Sequence, residues 1–306
     1  EMQRSLVGSE MCIRDSHMTP DAKLRNLQLK GLEMASYIYD FCKKNGLLIY
    51  FCGGCCIGAL RHGGFVPWDD DVDFFMPRAD YEMFVRLWKE QEKDGPYVLV
   101  KSDETLVDRN LFVTIRDPKT TFIKTYQQDL DLCHGVAVDI LPLDGYPDSA
   151  WARKSQVVWA LIFSLFCAQT VPVNHGGVMA AGSKLLLSLV RSPKLRYKIW
   201  KCAERHMTRW SIDDCTGITE LCSGPHYMKN RYEKEWFQAA QEHDFEGIPM
   251  PLPVGYDAYL RTAFGDYLTL PPEDKQVPSH EAVLIDLEHP YTEHADCYGA
   301  GHKAQS

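Results

Sequence analysis

The chain has 306 residues, 45% of them apolar and 25% charged, with 33 Lys and Arg against 42 Asp and Glu for a formal charge of −9. That balance excludes a disordered or fibrous chain and supplies a core for one large domain or two small ones. Lys and Arg stand singly, so no basic stripe points to nucleic acid as a partner.

Residues 1–18 show no apolar period, and Gly8-Ser9 and Ser16-His17-Met18 read as a non-native leader. Met34, Tyr37, Ile38 and Phe41 then recur at helical spacing, and Asn45-Gly46 stops that helix before a strand-like run at 47–52. Gly53-Gly54 and Gly63-Gly64 bracket a short helix at 55–61, and Pro67-Trp68 follows. Asp71-Val72-Asp73-Phe74 alternates polar and apolar as a strand does, with Pro77 closing it.

Asp80 is placed as the N-cap of a helix with Tyr81, Phe84, Val85 and Trp88 on one stripe, ended by Gly95-Pro96. Strands are expected at 97–101, 111–116 and 136–141, and beyond Pro142 long helices at 151–171, 179–190 and 193–210. The expected class is therefore α+β: a mixed sheet with helices over 19–148 and a mainly helical region over 149–306, packed as one unit.

There are eleven cysteines and no signal peptide, and Cys42, Cys52, Cys55, Cys56, Cys167 and Cys202 lie in apolar runs. Reduced, buried thiols in a cytoplasmic protein are the expectation. No paired Cys or His motif follows Cys52, Cys55 and Cys56 at finger spacing, which argues against zinc there.

Four carboxylates, Asp69, Asp70, Asp71 and Asp73, fall within five residues beside the apolar Phe74, Phe75 and Met76. On a strand, Asp71 and Asp73 would share a face roughly 7 Å apart. Oxygen ligands so placed suit magnesium or manganese; a solvated acidic turn is the competing reading. A glycine pair, a short helix and an Asp-x-Asp strand, in that order, suit phosphate chemistry. Gly53 and Gly54 let the backbone approach phosphate, the helix start offers N–H groups, and the carboxylates hold the bridging cation.

Asp139, between Val138 and Ile140, is the expected third carboxylate, completing a metal site or accepting a proton; pairing with Arg116 is its structural alternative. Arg61, His62 and Arg78 flank the cluster as candidate phosphate ligands or as salt-bridge partners of the aspartates. Neither a G-x-S-x-G elbow nor a P-loop lysine motif occurs, so serine-hydrolase and P-loop readings fall away.

The string GGCCIGALRHGGFVPWDDDVDFFMPRADYEMF, with VAVDILPLDG downstream, resembles the LicD family of phosphotransferases and the fukutin-related proteins. A looser likeness runs through TIRDPKTTF to FGDYLTLPPEDK and His280, while 151–236 matches nothing nameable. The resemblance implies a nucleotidyltransferase fold and transfer of phosphocholine from CDP-choline to a hydroxyl of a surface glycan of teichoic acid or lipopolysaccharide type. Ribitol-phosphate or glycerol-phosphate from other CDP-alcohols is the alternative within the family.

It carries the metal pair onto Asp71 and Asp73, the later carboxylate onto Asp139 and the phosphate loop onto Gly53 and Gly54. Cys55-Cys56 and Phe264 depart from the usual family residues without removing a charge. A choline cargo would want an aromatic cage, for which Trp68, Tyr256, Tyr259, Phe264 and Tyr267 are candidates beside their ordinary role in packing. The apolar run 157–173 is short for a bilayer span and reads as a core helix, or as one resting on the inner membrane face where lipid-linked acceptors lie. Lys184, Lys194, Arg196 and Lys198 would assist that contact. Two rival functions stay open: transfer of a nucleoside monophosphate to another acceptor, and a nucleotide-binding scaffold without catalysis.

Overall fold

The computed structural model describes residues 20–170, 176–278 and 280–299, so the leader at 1–18 lies outside the described residues. Helix α1 (Pro20–Asn45) begins about four turns earlier than its clearest apolar stripe and buries Leu27, Met34, Ala35, Ile38 and Phe41. Its end is closed by two backbone bonds, Gly46 N–H to Lys43 O (3.3 Å) and Leu47 N–H to Cys42 O (3.0 Å).

The run expected as a strand at 47–52 pairs only as β1 (Tyr50–Phe51), after which α2 (Gly53–Arg61) takes in both glycines. Strand β2 (Asp73–Pro77) starts two residues later than its alternation suggests, leaving Asp71 in the connecting segment. Helix α3 (Arg78–Gln91) starts directly on Pro77, so Asp80 sits in its first turn rather than at the N-cap.

Strands β3 (Val98–Val100), β4 (Val113–Arg116), β5 (Thr121–Lys124) and β6 (Ala137–Tyr146) follow. Strand β6 is the spine of the sheet: β2 lies parallel on one side of it, and β4 antiparallel on the other. It runs through Pro142, where the sequence suggested a stop. Strand β4 leaves β6 at Ile140 and the next partner joins at Leu143, so the missing N–H of Pro142 falls in the gap between them.

Helices α4 (Ala150–Ala168), α5 (Gly176–Leu189) and α6 (Pro193–Met207) then give way to β7 (Gly217–Glu220) and β8 (Tyr232–Glu233). Strand β7 pairs with the second half of β6 and β8 pairs with β7, giving a seven-stranded sheet among the described residues. A hairpin of β9 (Ala240–Phe245) and β10 (Ile248–Pro253), the helix α7 (Tyr256–Phe264) and β11 (Ala282–Asp286), which pairs with β5, complete the fold. The class is α+β, and helix exceeds strand in the second half. The division drawn near residue 148 is bridged by β7, since both halves share one sheet.

Helix α4 packs Ala160, Phe163, Phe166 and Cys167 against Trp200, Ala203 and Met207 of α6, a second core beside the sheet core. The run expected at 157–173 is thus an ordinary buried helix as far as Ala168; its last residues, 171–173, lie outside the described residues. No helix among the described residues is long and apolar enough to cross a membrane. Arg196 donates inward to Val190 O, Leu187 O and Gln169 Oε1. Cys42, Cys52, Cys55, Cys56 and Cys167 are buried free thiols, whereas Cys202 is exposed on α6, because its place in an apolar stretch falls on the outer face of that helix.

Candidate active site

Asp73 and Asp139 are register partners on the parallel strands β2 and β6, which sets the two carboxylates on one face of the sheet. Both line a cavity of about 370 Å³ together with Asp69, Asp71, Gly53, Gly54 and Lys-free walls of Glu220, Tyr227, Tyr259, Phe264 and His280. Asp71 reaches this cavity from the segment before β2, not by strand alternation.

The start of α2 forms one edge. Gly53 has φ +50, a left-handed conformation that favours glycine, and its N–H donates to the Tyr259 hydroxyl at 3.1 Å. A Cβ on Gly54 would overlap the Asp69 carboxylate, so the glycine is what lets that acid lie against the helix start.

Gathering these acids has an electrostatic consequence. Burial, with Asp71 and Asp70 adding repulsion, pushes the Asp69 carboxyl up to about 8. Burial also raises Asp71, against the pull of His280 and Lys124. Asp73 stands well above the usual carboxylate range through burial and the negative field of Asp71, Asp139 and Asp69. Lys124 on β5 lies 3.8 Å from Asp139; burial lowers its ammonium, and the negative fields of Asp139, Tyr126 and Asp71 together outweigh this and raise it.

A hard cation fits this arrangement. Among the described residues, Asp70, Asp71 and His280 bring one ligand atom each to within 4.8 Å of one another. The buried Oδ1 of Asp139 has no hydrogen-bond partner. Clustered acids held up by burial and mutual repulsion, and a buried carboxylate oxygen with an open acceptor position, are what a divalent cation would relieve.

Residues 46–172 match the profile of a family described as LicD/FKTN/FKRP, nucleotidyltransferase domain. This segment is a LicD-family nucleotidyltransferase domain. The LicD segment holds Gly53, Gly54, Asp69, Asp71, Asp73 and Asp139 of the cavity lining, and Lys124 beside Asp139. Over a longer span, 275 residues, the chain is 27% identical to the lipopolysaccharide cholinephosphotransferase LicD of Haemophilus influenzae, covering 86% of this chain and 98% of that protein. The likeness therefore continues past the LicD segment into the strands and helices that close the cavity.

Not every residue singled out in the sequence meets there. Arg78 donates from Nε and an Nη to both oxygens of Asp144 (2.8 and 2.7 Å), a buried pair joining α3 to β6, and is absent from the cavity lining. Arg61 lines a neighbouring cavity of about 610 Å³ with Trp68 and Tyr267, donating to Tyr267 O at 2.8 Å. His62 is exposed beside Arg61, whose Nε donates to its Nε2 at 2.9 Å. Of the candidate rings, Phe264 borders both cavities, Tyr259 belongs to the acidic one, and Trp68 and Tyr267 to its neighbour.

The partner of Asp139 is Lys124, not Arg116. Arg116 is taken up by Thr114 Oγ1, Cys133 O and Gln127 Oε1. Sequence reasoning also missed Glu220 and Tyr227. An isolated acid ending the apolar strand Gly217–Glu220 was the available signal for the former, and nothing local distinguishes the latter.

Proposed function

We propose that this chain transfers phosphocholine from CDP-choline to a hydroxyl of a surface glycan, with magnesium or manganese bound in the acidic cavity. The observation that carries the reading is the Asp73 and Asp139 pair across β2 and β6, in one cavity with Asp71 and the start of α2. The likeness to a lipopolysaccharide cholinephosphotransferase supports phosphocholine as the group moved.

Asp71 and Asp73 would hold the cation, with Asp139 opposite Asp73 as the third carboxylate. When bound, the cation neutralises phosphate oxygens and the charge gathering on the departing CMP. The first turn of α2 orients the diphosphate, because its N–H groups and positive end favour an anion. Lys124 adds a fixed positive charge beside Asp139. In the transfer, the acceptor oxygen bonds to the phosphorus that carries choline, the bond from that phosphorus to the bridging oxygen breaks, and CMP leaves; the hydroxyl proton passes to water or a cavity carboxylate.

In this reading the acceptor is a lipid-linked glycan precursor at the inner membrane face. Leu185, Leu186 and Leu189, exposed on α5, would supply peripheral contact. The test is a donor panel: CDP-choline, CDP-ribitol, CDP-glycerol and CTP, each with magnesium or manganese, following CMP and pyrophosphate. CMP from CDP-choline in preference to the others is expected. Pyrophosphate from CTP with no CMP from any CDP-alcohol would replace this reading with nucleotide addition.

A further inference from the structure

The lining of the cavity is not acidic throughout. Tyr227, Tyr259 and Phe264 share it with the aspartates, and Phe264 is central among the rings: its ring centroid lies 6.0 Å from that of Tyr227 and 6.4 Å from that of Tyr259. Among these rings stands Glu220, the last residue of β7, which is 3% exposed. The Tyr232 hydroxyl donates to its Oε1, and the groups close enough to act on it, Tyr232, Ser223 and Asn230, are all neutral.

A carboxylate buried this deeply ordinarily has a cationic partner or coordinates a cation. Glu220 has no such partner among the described residues. Two features thus coincide in the lining of the cavity: aromatic rings, whose quadrupoles attract a cation, and a carboxylate with no counter-charge among the described residues. The aspartates that the transfer reading assigns to cation and phosphate line the same cavity.

We propose that Glu220, Tyr227, Tyr259 and Phe264 form the subsite for the quaternary ammonium of the donor and set its preference for a cationic over a polyol cargo. The proposal rests on the transfer reading above and deepens it. A trimethylammonium group has no N–H to donate, so rings that enclose its methyl surface, plus one diffuse counter-charge, recognise it better than a ring of hydrogen-bond acceptors would. A ribitol or glycerol chain carries no positive charge and would leave Glu220 uncompensated.

The test compares CDP-choline with its neutral carbon isostere, in which a tert-butyl group replaces trimethylammonium, in wild type, Glu220→Gln and Phe264→Leu. Wild type should favour the charged donor by about tenfold or more in kcat/KM. Both variants should reduce that ratio several-fold, mainly through a higher KM for the charged donor. Gln keeps an acceptor for Tyr232, so a general loss of fold would instead depress both donors together.

Phosphocholine binding is followed separately by calorimetry. If CMP is released from CDP-choline and the charged-to-neutral ratio is the same in all three proteins, the subsite is overturned and the transfer reading stands. If phosphocholine binds wild type but binds Glu220→Gln about tenfold more weakly, while no CMP is released, the subsite stands and the transfer reading falls. Neither binding nor release would overturn both.

Discussion

Asp73 is the residue at which stability and chemistry pull apart most clearly. Its carboxyl is raised by burial and by three neighbouring acids, so the metal-free protein carries a repulsion that Asn would remove. Asp73→Asn should therefore stabilise the metal-free protein by about 1–2 kcal/mol in chemical denaturation, while lowering turnover by on the order of a thousandfold or more. Glu220 gives a second separation, by pH. Burial raises its carboxyl to about 7 from an ordinary 4.5, so folding favours the protonated form. Its contribution to stability is full below pH 4.5 and is lost as pH rises through 7. Glu220→Gln should match wild type in denaturation midpoint at pH 4.5 and exceed it by roughly 3 kcal/mol at pH 8. A constant difference across that range would contradict the assignment. At this scale the sequence was informative where acids cluster: Asp69, Asp71 and Asp73 announce themselves by density, and Asp139 by its apolar neighbours. It was silent about Lys124 and Tyr227, single residues in unremarkable surroundings whose role comes only from what the fold sets opposite them.

Between elements, the Arg78 and Asp144 pair ties the start of α3 to β6, with side-chain exposures of 13% and 1%. Removing one partner leaves a buried charge. Arg78→Met should cost about 3–5 kcal/mol, and the double change with Asp144→Leu should recover most of it. If Arg78→Met instead left stability unchanged and weakened binding of CDP, the arginine would belong to the phosphate site after all. The sequence cannot separate these roles, because Arg78 follows the acidic cluster closely in the chain yet turns to a strand far along it. Strand limits were lost for a related reason. Alternation in 71–74 suggested a strand from Asp71, but pairing with β6 holds only from Asp73. Pro142 suggested a stop, but its missing N–H meets a gap between partners. Glycine placement was more legible, since Gly53-Gly54 marks the helix start whose backbone meets Tyr259 and Asp69.

For the molecule as a whole, the cavity lies where two cores meet. The sheet core supplies Phe75, Leu141 and Tyr259, the α4 and α6 core supplies Cys222, and Phe112 packs against both. The helices α4, α5 and α6 were legible from apolar spacing. The return of β7 and β8 to the first-half sheet was not, because long-range pairing leaves no local pattern. Residues 20–172 alone would lack β7, Glu220, Tyr259 and His280, exposing the second half of β6 as an unpaired edge. That fragment should show no cooperative melt by circular dichroism; a transition near that of the full chain would contradict the shared-sheet account. The central claim is that the aspartate cavity is a cation-dependent phosphotransfer site. Its most direct measurement is CMP release from CDP-choline by metal-stripped protein titrated with manganese, in wild type and Asp73→Asn. The account predicts no CMP without metal, saturable release in wild type, and release from the variant lower by on the order of a thousandfold or more at every metal concentration. Equal release in the presence of a chelator, or from Asp73→Asn, would contradict it.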